Sequence, residues 1–208
     1  MDSSRSRVPS PGRLGLLDQR AGDWLDYLGW TDEDAIPMLW ALSRAPDPDL
    51  ALGALVRLRE ALAAQAQGSD QPAGGPSASG ASTDAGGDSG VAALDSALRS
   101  DLQLRGRLLG LLGSSSALGD HLVAQPTRWA LLRSPLPSRE DVLADMLGVV
   151  DAAPEEPVEG APAPSQTADL RSVGTYRAAI TGGAAVNVLR SAYRDHVALL
   201  AAHDVAST

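Results

Sequence analysis

The residues of this 208-residue sequence best suited to proton transfer or metal ligation are three histidines, His121, His196 and His203. Their spacing argues against both roles. His196 and His203 stand seven apart, about 10 Å along a helix, whereas two metal ligands on one helix sit four apart. Asp120 and His121 lie near Ser114, Ser115 and Ser116 in a superficial triad. Adjacent helical residues, however, point about 100° apart, and the acid, base and nucleophile of a triad must converge. Helix capping and packing account for them better. Gly110, Gly113 and Gly119 lack the following Lys-Ser or Lys-Thr of a phosphate loop and lie in a helical pattern. Gly182-Gly183 opens a helix whose amides suit an anion, but a plain turn explains the pair. Arg190 and Arg194, one turn apart with Arg177 as a third member, have the chemistry to clamp a phosphate or an acidic partner, against a solvated face as the simpler reading. Trp24, Trp30, Trp40 and Trp129 are too scattered to stack bases and read as core anchors. No catalytic, cofactor-binding or metal-ligating residue is assigned.

Composition narrows the chemistry further. All 17 basic residues are Arg. This excludes a Walker-type Lys, a Schiff-base Lys and a Lys general base. Cysteine is absent, so disulfides, zinc thiolates and thiol catalysis are excluded, as fits a cytosolic protein. A net charge of −9 repels a phosphate backbone, and no basic stripe offsets it, so no nucleic-acid partner is expected. No apolar run approaches the roughly 18 residues of a membrane span, and the opening lacks a signal-peptide core. A cytoplasmic protein without membrane contact is the expectation.

With 44% hydrophobic residues, 3% aromatics and no Phe, the core must be Leu, Ala and Val, which favours helices over sheet. The predicted fold class is all-α, bundle-like and interrupted by two disordered low-complexity linkers. Six stretches follow: a disordered start over 1–13, N-terminal helices over 14–67, a linker over 68–90, central helices over 91–152, a Pro-rich acidic linker over 153–168, and a C-terminal helix within 169–208. In the first helical stretch Trp24, Leu25 and Leu28 share a side of a short helix that Gly29 ends. Pro37 begins a helix carrying Leu39, Trp40 and Leu42. Asp47-Pro48 then caps a long one bearing Leu52, Leu55, Val56 and Leu62, ending near Gln67.

The densest pattern runs from Arg99 to Arg133. Leu104, Leu108, Leu111 and Leu112 recur at helical spacing, Gly113 reads as the stop, and Ser114 to Ser116 cap the next helix with Leu118 and Leu122. That helix ends before Pro126, and Trp129, Leu131 and Leu132 follow. Ser138 with Asp141 forms a capping-box-like start to a helix bearing Val142, Leu143, Met146, Leu147 and Val150. The last helix, from about Ala184 to Ala202, shows Val186, Leu189, Tyr193, Val197 and Leu200 at steps of three and four.

LGSSSALGDHLVAQPTRWALLR (112–133) and LRSAYRDHVALLAAHDVAST (189–208) resemble segments near the start of the bifunctional glutamine synthetase adenylyltransferase and adenylyl-removing enzyme. GRLGL, YLGW and LWALSRAPDPD resemble its actinobacterial form. Leu118, Gly119, Asp120, His121 and Leu122, with Pro126 and Trp129, carry the first match; Arg190, Tyr193, Arg194 and Asp204 carry the second. The resemblance implies a helical lead-in to a nucleotidyltransferase domain that acts on a glutamine synthetase tyrosine. It also implies ATP and magnesium as cofactors of the whole enzyme, with glutamine synthetase and a PII-type signal protein as partners. The Gly-Ser motif and paired acids that hold magnesium in that family have no counterpart here, so an inert N-terminal fragment is expected. The alternative is a stand-alone helical interaction module. In the fragment reading, the apolar stripe of the last helix arrives where the family chain would continue into its catalytic domain and should lack part of its packing partner.

Overall fold

A computed structural model of the chain describes residues 8–69, 86–154 and 176–206. Most of the predicted linker segments, 70–85 and 155–168, therefore lie outside the described residues, as do 1–7 of the predicted disordered start and 169–175 of the predicted C-terminal segment. The described chain is helical apart from one two-stranded ribbon and divides into two compact units. One comprises residues up to Pro135 together with those from Ala198 onward; the other is Leu136–Val197.

The first unit holds α1 (Ala21–Leu28), α2 (Ile36–Leu42), α3 (Pro48–Ser69), α4 (Gly86–Ser100), α5 (Leu102–Ser114) and α6 (Ser116–Ala124). Short 3-10 turns at Pro11–Leu14, Glu33–Ala35 and Pro126–Arg133 complete it, with the last turns of α8 (Gly182–Ala206). Its centre is α5, where Leu104, Leu108, Leu109, Leu111 and Leu112 are all fully buried. A helix with leucines on so much of its circumference is stable only with neighbours on several sides. They are supplied by Leu52, Leu55 and Leu58 of α3, Leu94 and Leu98 of α4, Leu122 of α6, and Trp129, all in one contiguous cluster.

Local chemistry sets the helix ends. Gly29 stops α1 in the left-handed conformation, φ 67°, which a residue with a Cβ adopts only with strain. Asp47 Oδ1 accepts from Leu50 N at 2.9 Å and starts α3. Asp101 Oδ1 accepts from Leu104 N at 2.9 Å, and Ser115 Oγ accepts from Leu118 N, starting α5 and α6. Between α4 and α5 the guanidinium of Arg105, only 5% exposed, donates to the carbonyls of Leu98 and Arg99 at 2.8 and 3.2 Å. A buried cation thereby satisfies carbonyls that the end of α4 leaves unpaired. Burial pushes the Arg105 pKa below its ordinary value, and the nearby Asp101 carboxylate opposes that shift.

Several expectations need correction. Order begins before residue 14: Pro9 is buried and Val8 packs against the core, two apolar residues hidden in a Ser- and Arg-rich opening. α4 begins at Gly86, inside the stretch assigned to the linker. A Cβ on Gly90 would sit 3.6 Å from Leu62, so the first turns of α4 run close against α3. Gly113 does not stop α5, which continues to Ser114. Its role is steric, because an added Cβ would fall 2.8 Å from the Asp47 carbonyl oxygen and 2.9 Å from Ala45 Cβ. Trp40 is 42% exposed and anchors no core, unlike Trp30 and Trp129, which are buried.

The second unit contains α7 (Arg139–Gly148), β1 (Ala152–Pro154), β2 (Tyr176–Ala178) and the larger part of α8. The strands pair antiparallel with Ala153 opposite Arg177, placing β1 at the start of the predicted acidic linker and β2 in the predicted C-terminal helical segment. Amides of Ala179 and Ile180 extend the pairing to the carbonyls of Asp151 and Val150 at 3.1 Å. α7 opens with the expected capping box: Ser138 Oγ accepts from Asp141 N, and the Asp141 carboxylate accepts from Ser138 N and Oγ. The Asp141 carboxyl is held below its usual value, first by the hydroxyl of Ser138 and then by its backbone amide.

Candidate functional site

The residues with chemistry to offer are dispersed. His196 Nε2 lies 2.9 Å from Asp145 Oδ2, joining α8 to α7. His203 Nε2 donates to the Ser134 carbonyl at 3.0 Å, and His121 is buried in α6. Among the described residues no three His, Cys, Asp or Glu side chains approach as metal ligands would. The superficial triad separates on inspection. Asp120 pairs with Arg57 across to α3 at 2.7 Å, Ser114 Oγ donates to the Leu111 carbonyl, and Ser115 caps α6. The glycines serve packing: Gly110 lies against Val205, Gly113 against the turn before α3, and Gly119 against Ala54 and Leu112. Gly182, at φ 63°, is a left-handed turn at the start of α8.

α8 is where an unsatisfied surface remains. Its buried residues are small or lie late in the helix: Ala192, Ala198, Leu199 and Ala202. The stripe predicted from its periodicity points largely the other way, with Val186 50%, Tyr193 62% and Leu200 49% exposed and with Leu189 and Val197 half-buried. Residues seven apart share a helix face, so Val186, Tyr193 and Leu200 form one row about 21 Å long at 1.5 Å per residue. Arg190 and Arg194 beside it are exposed, and neither pairs with an acid among the described residues. The third predicted member, Arg177, sits on β2 opposite Ala153. An apolar row edged by unpaired guanidiniums is suited to burial against another protein surface, and it offers neither a nucleophile held by a base nor an oxyanion hole.

Sequence comparison bears on what that surface belongs to. Bifunctional glutamine synthetase adenylyltransferase/adenylyl-removing enzymes match the chain nearly end to end. The Nocardia farcinica enzyme is 47% identical over 207 residues, 99% of this chain and 17% of its own length. The Corynebacterium efficiens enzyme is 39% identical over 211 residues, 98% of this chain and 18% of its own. The chain corresponds to one segment of this enzyme family. The Mycobacterium tuberculosis enzyme, 38% identical, agrees, again with 99% of this chain and 16% of the relative covered. The chain thus spans about one sixth of the length of these glutamine synthetase adenylyltransferase/adenylyl-removing enzymes. No family model matches it, and no solved structure does. No described helix is long and apolar enough to cross a membrane.

Proposed function

We propose that this chain is the N-terminal helical part of a cytoplasmic enzyme that attaches AMP to glutamine synthetase and removes it, and so adjusts nitrogen assimilation. The observation that carries this reading is the similarity along 98–99% of the chain to enzymes of that name about six times as long. The nucleotidyltransferase machinery belongs to the remainder of the longer polypeptide. ATP and magnesium would act there, supplying the adenylyl group and neutralising its phosphates. The described residues do not fit a divalent ion, because no three of their acidic or His side chains converge as its ligands would, and carboxylates such as Asp47, Asp101, Asp120 and Asp145 already serve helix caps or ion pairs. What this chain supplies is a leucine-packed helical core and, in α8, a helix that presents an apolar and cationic row to the rest of the enzyme. Glutamine synthetase is the substrate, and a PII-type protein the regulator, of the whole.

Two measurements test this. The reading frame should continue past Thr208 into paired-acid nucleotidyltransferase motifs, and the 208-residue chain alone should neither transfer AMP from ATP to glutamine synthetase nor remove it. Activity of the isolated chain would overturn the assignment of catalysis to the remainder. The exposed row of α8 also favours a second reading, a stand-alone interaction module, and a stop codon directly after Thr208 would select it.

A further inference from the structure

On one side of α5 the glycines Gly106, Gly110 and Gly113 follow at steps of four and three, and two of the three are covered closely. The turn before α3 fills the space at Gly113 and Val205 of α8 fills that at Gly110, each leaving about 2.8 Å to an added Cβ. At Gly106 an added Cβ would meet nothing within 4 Å. One turn earlier Leu102 is 68% exposed although it belongs to the central helix. Gly106 and Leu102 lie in a groove of about 640 Å³ whose walls are Ala41 and Ala45 on one side and Val205 and Ala206, the end of α8, on another. The final turn of α8 therefore already occupies one end of the trough, and the trough continues beyond it uncovered.

Resting on the reading of this chain as the N-terminal part of a longer enzyme, we propose that the polypeptide directly after Thr208 lies in this groove and covers Gly106 and Leu102. Three observations select that occupant over a separate protein. α8 delivers the chain to the lip of the groove, so no search is needed to reach it. The relatives matched here are about six times longer than this chain, so there is polypeptide to place. The lining combines small or apolar residues such as Ala41, Ala45, Gly106 and Leu102 with the exposed Arg44 and Gln103, which suits a helix or strand of mixed apolar and polar character packed at close range.

The absence of cysteine gives a direct test. Gln103→Cys places a thiol at an exposed position on the groove, and its alkylation by N-ethylmaleimide is followed by peptide mass spectrometry in the 208-residue chain and in the longer protein. Alkylation should be at least about tenfold slower in the longer protein, since a covered site reacts only on local opening. Gly106→Leu, whose Cβ meets nothing within 4 Å in the short chain, should leave the short chain's melting temperature unchanged and restore fast alkylation in the longer protein by displacing the occupant. Equal rates at both lengths overturn the groove assignment while leaving the N-terminal reading intact. Protection of the short chain that grows with its own concentration also overturns it, in favour of a second copy. A frame that stops at Thr208 overturns both.

Discussion

Alanine at Gly113 and at Gly106 should move stability in opposite directions, although both glycines sit on α5. Replacing an interior helical Gly by Ala gains about 0.5–1 kcal/mol from reduced unfolded-state freedom. At Gly106, where the new methyl meets nothing within 4 Å, that gain is realised. At Gly113 the methyl would lie 2.8 Å from the Asp47 carbonyl oxygen, an atom that also accepts from Ala51 N at 3.0 Å to start α3. Backbone must shift there, at the overpacking cost of about 1–3 kcal/mol, and the propensity gain is smaller next to the helix end. The expected net is a loss of about 1–2 kcal/mol for Gly113→Ala and a gain of up to about 1 kcal/mol for Gly106→Ala. For a chain of this size each kcal/mol moves the melting temperature by about 2–4 °C. Thermal unfolding followed by circular dichroism, with urea midpoints as a check, reads the difference. If Gly113→Ala is as stable as Gly106→Ala, α5 is not held against the turn before α3 as described.

Leu108→Ala and Leu122→Ala, both at fully buried positions, should each cost about 2–5 kcal/mol in urea unfolding, and a loss below about 1 kcal/mol would contradict the placing of α5 and α6. Trp30→Ala should cost about 3–5 kcal/mol whereas Trp40→Ala should cost far less, and equal losses would show that Trp40 is buried after all. The lowered pKa of Asp141 makes the α7 cap pH-dependent: its contribution is complete above the ordinary carboxylate value of 3.8 and is lost as pH falls through the lower folded value. Ser138→Ala should move the Asp141 carboxyl titration, followed by NMR, back up toward 3.8, and an unchanged titration would deny the hydrogen bond.

Features fixed by neighbours in sequence were legible in it. Asp47-Pro48, Gly29, the Ser114–Ser116 run and Ser138 with Asp141 all mark helix ends through contacts spanning three or four residues, and the structure uses each of these signals in that way. The burial of Leu104, Leu108, Leu111 and Leu112 followed from their spacing. Features fixed across the fold were not legible. Arg105 is buried because carbonyls of another helix meet its guanidinium, and Gly113 is a glycine because a distant turn crosses it. The three-residue strands Ala152–Pro154 and Tyr176–Ala178 are too short to show alternation. Periodicity found the apolar stripe of α8 but not which side is covered: packing buries Ala192, Ala198 and Ala202, which let neighbours approach closely, and leaves Val186, Tyr193 and Leu200 exposed.

That exposed row is the physical support for reading the chain as part of a larger enzyme, and amide hydrogen exchange tests it most directly. In a demonstrably monomeric 208-residue chain, amides from Leu189 to Leu200 should exchange faster than those from Leu104 to Leu112, and in the longer protein the two sets should become comparably protected. If the α8 amides of the short chain already exchange as slowly as those of α5, the helix lacks no partner, and the account of α8 as a surface awaiting the rest of the enzyme is contradicted.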